Sequence, residues 1–230
     1  MKDGIELIIF DMAGTTIEDR GEVLTAFKAA LEKNQIHVSD DFLQDRRGAS
    51  KKEVLRQCIE GQFGINAPEN SKRIDQAYGD FRALLESLFA KNGIHPIQGA
   101  ESTFQWLKKR NFKIALTTGF YRKVADIILQ AAGWGEGMID ASVCSDEVAM
   151  GRPAPYMIFR AMEATRVTRV QGIVNVGDTT LDLLSAAYAG ARGNVGVLTG
   201  TQTILHLGRI RHTHIIPSIH DLPDLLENEF

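Results

Sequence analysis

The run Ile5-Glu6-Leu7-Ile8-Ile9-Phe10 breaks off at Asp11 and leads into Met12-Ala13-Gly14-Thr15-Thr16. Near-continuous apolar runs of this length suit a parallel strand buried on both faces. In open α/β sheets, ligands bind outside the carboxyl ends of the strands, so a carboxylate at a strand tip stands where chemistry is done. Outward from this stretch, similar runs recur at Phe112–Leu116, Ala141–Cys144, Gly172–Val176 and Asn194–Leu198. Helical patterns separate them, over Ala100–Lys109, Tyr121–Ala132, Pro155–Thr165 and Thr180–Tyr188. This alternation predicts an α/β fold built on a doubly wound parallel sheet.

Residues 19–93 interrupt the rhythm with a stretch that reads as helices. Ile74, Tyr78, Phe81, Leu85 and Leu88 fall at spacings of four and three and predict one apolar stripe. Two further helical textures lie around Ala26–Lys33 and Lys52–Ile59, and Gly93 with Pro96 marks the return. The expected organisation is a Rossmann-like core from residues 1–18 and 94–230 with an inserted helical domain over 19–93.

The 230 residues are 44% hydrophobic and 24% charged, which excludes a disordered chain, a collagen and a coiled coil. A net charge of −3 gives no basic excess for binding a phosphate backbone, so no nucleic-acid partner is expected. Cys58 and Cys144 are the only cysteines, which excludes a disulfide framework and a Cys-rich zinc site. The apolar run after Gly4 is too short for a secretory signal, and no run is long enough for a membrane span. The expected compartment is reducing and cytoplasmic, with no membrane partner.

Each strand end carries polar residues of a useful type. Beyond Asp11 there are Thr117-Thr118-Gly119, Gly151-Arg152-Pro153 and Gly177-Asp178-Thr179-Thr180-Leu181-Asp182. Singly, each has a plain explanation: Asp11 could be a turn residue, Thr179 with Asp182 a capping box, Arg152 a surface cation. Their ordered appearance at successive strand ends is what those explanations do not predict. Together they make sense as a phosphoryl-transfer site. Asp11 is a candidate carboxylate nucleophile. Asp11 and Asp178 are hard oxygen ligands suited to Mg²⁺. Thr118 and the Gly119 amide can hydrogen-bond phosphoryl oxygens, and Arg152 can offset their charge.

These segments, in this order, resemble the haloacid dehalogenase superfamily, with the insertion where that superfamily carries a helical cap. Within it, Asp11-x-Ala13-Gly14-Thr15, the Gly-Arg-Pro around Arg152 and Thr117-Thr118-Gly119-Phe120 resemble the phosphonatase-like clade. So does the tail, with Gly196-Val197-Leu198-Thr199-Gly200 and His212-Thr213-His214. Most phosphatases of the superfamily place a second Asp, a general acid, where this chain has Ala13. The resemblance implies Mg²⁺ at Asp11, Ala13 and Asp178, with Thr15 and Asp182 behind them, and phosphate held by Ala13, Gly48, Thr118 and Gly119.

It also implies a role for the helical insertion. Gly48-Ala49-Ser50-Lys51 resembles the cap loop whose lysine forms a Schiff base with the aldehyde substrate. On this reading Lys51 is covalent, and Arg46, Arg47 and Lys52 would lower its pKa if their side chains converge. The alternative is that Lys51 only touches substrate, as the Gly-x-Ser-Arg loop of sugar-phosphate members does. Four positions depart from the phosphonatase pattern: Met12, Arg47, Val54 and Phe120 stand where it has Trp, Met, His and Tyr. The expected function is Mg²⁺-dependent cleavage of the P–C bond of a small 2-oxoalkyl phosphonate, with a phosphomonoesterase or a non-catalytic relative as alternatives. Pairing of two chains through the cap is the implied assembly. Cys144 reads as a core residue, Lys52 as a helix-face charge, and His212 and His214 as strand-edge residues.

Overall fold

The computed structural model describes residues 4–135 and 137–230. They form two compact units, one from the chain up to Glu18 and from Ile94 onward, the other Asp19–Gly93.

In the first unit the described strands form one sheet. They are β1 (Leu7–Asp11), β2 (Lys113–Thr118), β3 (Ala141–Cys144), β4 (Ile173–Gly177), β5 (Gly193–Val197) and β6 (His214–Ile216). Their order is β3-β2-β1-β4-β5-β6 and every pair is parallel. The connecting helices α5 (Ala100–Lys109), α6 (Arg122–Ala132), α7 (Tyr156–Thr165) and α8 (Thr180–Ala189) cover both faces. Short α9 (Ile204–Leu207) and α10 (Leu222–Glu229) complete the unit.

The two-residue period of β1 assigns its side chains. Leu7 and Ile9 join a core with Met157, Ile158 and Ala161 of α7 and Ala186 of α8. Phe10, on the opposite face, meets Phe104 of α5 edge-on at 5.4 Å, and Phe104 meets Trp134 at 5.1 Å. Burial on both faces is why β1 reads as a continuous apolar run. The expected strands shift by a residue or two: β1 runs through Asp11, and a short 3₁₀ turn over Val170–Gly172 delays β4. Strand β6 adds an edge that the sequence pattern did not delimit, because three residues carry too little periodicity.

The second unit holds α1 (Glu22–Lys33), α2 (Asp40–Gln44), α3 (Lys51–Phe63) and α4 (Asn70–Asn92). Helix α4 packs against α1 and α3, with Phe81 edge-on to Phe27 at 5.6 Å. Its buried stripe is Ile74, Ala77, Phe81, Leu85 and Phe89, which corrects the expected one. Ala77 and Phe89 replace Tyr78 and Leu88, because Tyr78 turns part-way out and stacks on Phe81 at 6.2 Å. Glu22 is buried at the start of α1, where its carboxylate accepts from Arg20 N and Asn92 Nδ2 at 3.1 Å each. Helix α4 stops at Gly93, whose φ of +76° suits a residue without Cβ.

Candidate active site

The sheet register assembles the site. Asp11 pairs with Thr117 on one side, and Phe10 pairs with Val176 on the other, so β1, β2 and β4 end together. Asp11 is followed by a tight turn in which the amides of Thr15, Thr16 and Ile17 all donate to Met12 O, at 3.2, 2.8 and 2.9 Å. Gly14 takes φ +90° there, and the Thr16 hydroxyl donates to Asp11 O at 3.1 Å. Ala13 lies in this turn, with no carboxyl to offer.

Arg152 is buried and reaches across the strand ends. Its Nη1 lies 2.6 Å from Asp11 Oδ1 and 2.8 Å from Asp182 Oδ1, and its Nη2 donates to Thr117 Oγ1 at 2.6 Å. Asp182 does two jobs. Its Oδ2 accepts from Thr179 N at 3.1 Å in a capping box that starts α8, while Oδ1 faces Arg152. One side chain thus caps α8 and pairs with Arg152.

Asp178 is buried beside them. The Thr15 hydroxyl donates to Oδ1 and Thr201 N donates to Oδ2, both at 3.3 Å. Ligand oxygens of Asp11, Asp178 and Asp182 lie within 4.8 Å of one another. Three carboxylates against one guanidinium leave two negative charges uncompensated, so the donor set fits a divalent oxygen-seeking cation such as Mg²⁺. Burial pushes the Asp11 carboxyl up to about 7, against the pull of Arg152. Burial, then the charges of Asp11 and Asp182, also raise Asp178 well above the carboxylate range. Burial opposes the Arg152 charge, but Asp182 and Asp11 outweigh it and keep the guanidinium protonated.

Thr118 and Gly119 close β2 next to this cluster. The Thr118 hydroxyl accepts from Phe120 N at 3.1 Å, and Ser145 Oγ donates to the Gly119 and Phe120 carbonyls at 3.0 and 3.1 Å. The structure thus brings Asp11, Ala13, Thr15, Thr118, Gly119, Arg152, Asp178 and Asp182 to the carboxyl end of the sheet's central strands. Thr117 and Thr201 belong to the same network and were not singled out from sequence. The Thr117-Thr118 pair was the available signal for the first.

Lys51 and Gly48 lie in the helical unit. Gly48 takes φ +83°, and Lys51 is the first residue of α3, its Nζ donating to Ala49 O at 2.9 Å. A cation at the positive end of a helix is not placed for helix stability. Arg46, Arg47 and Lys52, whose charges would lower the Lys51 pKa if they converged on it, each have other partners. Arg46 lies over the Phe42 ring at 3.5 Å and donates to Gln57. Arg47 pairs with Asp19 at 3.3 Å, and Lys52 with Asp75 at 3.0 Å. Val54 is buried in the packing of this unit.

Cys144 is fully buried, and burial pushes its thiol up to about 12 in spite of Arg122, which suits a core residue. His212 bonds Ile210 O at 2.7 Å, and His214 opens β6 against the Phe230 ring.

A family model described as haloacid dehalogenase-like hydrolase matches residues 5–190. A phosphonoacetaldehyde hydrolase of Bacillus cereus (strain AH187) is 29% identical over 209 residues, covering 87% of this chain and 78% of that protein. Among solved structures, a hydrolase from Pseudomonas syringae superposes with a TM-score of 0.84 at 23% identity, covering 97% of this chain and 99% of the other. A phosphonoacetaldehyde hydrolase-like protein from Oleispira antarctica also gives 0.84, at 22% identity, covering 98% and 92%. At those identities the two superpositions establish the shared fold.

Proposed function

The chain belongs to the haloacid dehalogenase-like hydrolases, and on that premise we propose that it cleaves the P–C bond of a small 2-oxoalkyl phosphonate of the phosphonoacetaldehyde class. One observation carries the reading: Ala13 stands two residues past Asp11, where an acid would protonate a departing alkoxide. The nearby carboxylates do not replace it, because Asp182 is committed to Arg152 and the α8 cap, and Asp178 to the Asp11 turn. A phosphonate has no alkoxide to protonate. Its leaving group is a carbon, which needs an electron sink.

Lys51 of the helical unit, which acts as the cap in this reading, supplies the sink. Its amine adds to the substrate carbonyl and loses water, leaving a protonated imine. An Asp11 oxygen attacks phosphorus, the P–C bond breaks, and its electron pair moves into the new C=C bond of an enamine. Water then splits the aspartyl-phosphate to release phosphate. The enamine takes a proton on carbon, and hydrolysis frees the carbonyl product and Lys51. Asp11 and Asp178 would hold Mg²⁺, with the Ala13 segment of the turn beside it. When bound, the ion neutralises phosphoryl oxygens so that two anions can approach. Arg152 fixes the attacking carboxylate by its Nη1 contact and adds positive charge where the transferred group carries negative. In this reading Thr118, Gly119 and Gly48 bind the phosphoryl oxygens.

Phosphate release tests the reading. Purified protein with Mg²⁺ should release phosphate from phosphonoacetaldehyde at least a hundredfold faster than from p-nitrophenyl phosphate, compared as kcat/KM, a margin of about 2.7 kcal/mol. The opposite preference would make the chain a phosphomonoesterase.

A further inference from the structure

The segment after β5 carries residues that the reaction scheme leaves without a role. Leu198 N anchors it to the Ile216 and Pro217 carbonyls at the end of β6. We infer that the following loop, Thr199–Gln202, is the positioning element of the metal site. It sets where the Asp178 carboxylate points and how far it stands from the Asp11 turn. This rests on the reading above, in which Asp178 holds the divalent ion.

Three observations converge. First, the Gly200 backbone runs against the whole Asp178 side chain. A Cβ on Gly200 would fall 1.8 Å from Asp178 Oδ2, 2.3 Å from Cγ and 2.4 Å from Cβ. Gly14 crowds the same oxygen: a Cβ there would lie 2.6 Å from Oδ2 and 3.0 Å from Gly200 Cα. Both glycine backbones therefore pack against Oδ2, and a side chain on either would displace the carboxylate. Second, its two oxygens receive one donor each from different segments, Thr15 Oγ1 on Oδ1 and Thr201 N on Oδ2. That pair of bonds fixes the carboxylate plane and leaves lone pairs on both oxygens. Third, the loop is fastened at both ends to the parts it must align. Thr199 Oγ1 donates to Gly14 O at 2.7 Å, and Gln202 Oε1 accepts from Thr180 N, at the start of α8, at 2.6 Å.

Magnesium asks for near-ideal octahedral geometry at short distances, so a small displacement of one carboxylate is felt directly in affinity. Outer partners of metal ligands are commonly worth about 10- to 100-fold in metal binding. Gly200 and Thr201 act on Asp178 directly, Thr199 acts through Gly14, and Gln202 ties the loop to the start of α8.

Titration with Mn²⁺ alone, followed by the electron paramagnetic resonance signal of the free ion, reads this without turnover. Gly200→Ala and Thr199→Val should weaken Mn²⁺ binding by about 10- to 100-fold. Their circular dichroism should match the parent. Thr199→Ser restores the donor and should bind as the parent does. Should Gly200→Ala not fold, the Val and Ser pair decides alone. Parent-like binding by Thr199→Val, or equal loss in Val and Ser, overturns the positioning role. Asp178→Asn separates the two levels: unchanged Mn²⁺ binding there removes Asp178 from the metal site, whereas loss there with Thr199→Val unaffected removes only the loop.

Discussion

At position 11 one oxygen atom separates a nucleophile from an inert amide. Asp11→Asn is nearly isosteric, and Arg152 keeps Asp182 and Thr117 as partners. The variant should fold with an unchanged melting temperature and lose at least a thousandfold in kcat, on the order of 4 kcal/mol of barrier. Phosphate release at the parent rate would remove Asp11 from the chemistry. At this scale the polar residues at strand tips were legible, because an apolar strand that stops at Asp, Thr-Gly or Gly-Asp announces its own end. The bonds among them were not. Arg152 meets Thr117 only because β2 lies in one register against β1, and Gly200 meets Asp178 only because β5 lies beside β4. The partners of the cations near Lys51, Asp19, Gln57 and Asp75, were not legible either, because they come from other segments of the chain or from further along α3.

At the scale of elements, strand order follows from alternation, and the shortest pieces escape it. Helix α2 has five residues and β6 three, too few for a period to show, although Ser39 caps α2 by accepting from Phe42 N at 3.2 Å. Helix α4 was legible as an apolar stripe, but its rotation depended on where Tyr78 could place its ring. One polar tie fixes α5, β2 and the entry to β3. Asp140 accepts from Lys108 Nζ at 2.7 Å, Ile114 N at 2.8 Å and Lys113 Nζ at 3.3 Å. Partial burial works to raise its carboxyl, but the Lys108 and Ile114 bonds outweigh it and hold the group below the usual carboxylate range. A depressed native pKa stabilises the fold above the unfolded value of about 3.9 and loses that contribution as pH falls through the native value. Asp140→Asn should therefore melt below the parent at neutral pH, with the gap narrowing as the pH of the melt falls below about 3.9. A gap that widened in acid would contradict the assignment.

At the scale of the molecule, a core unit interrupted at Glu18 and resumed at Ile94 carries the acidic cluster, and the helical unit carries Lys51. The two halves of the proposed reaction are thus written on separate units. The core half answers to metal. Chelation with EDTA should abolish phosphate release, and added Mg²⁺ should restore it. An ion that binds only the native state adds about 2.7 kcal/mol at a hundredfold excess over its Kd. Mg²⁺ should therefore raise the melting temperature of the parent and leave that of Asp178→Ala unchanged. Full activity in chelator would remove the ion from the scheme.

The helical half answers to a covalent trap. Borohydride added while the protein turns over a 2-oxoalkyl phosphonate reduces an imine to a stable amine, adding the carbon fragment to the chain. The account predicts permanent loss of activity, with the added mass mapped by peptide mass spectrometry to Lys51 and not to Lys52. It predicts no adduct and no P–C cleavage in Lys51→Arg, whose guanidinium stays protonated and cannot form the imine. Near-normal turnover by Lys51→Arg, with no adduct on the parent, would contradict it.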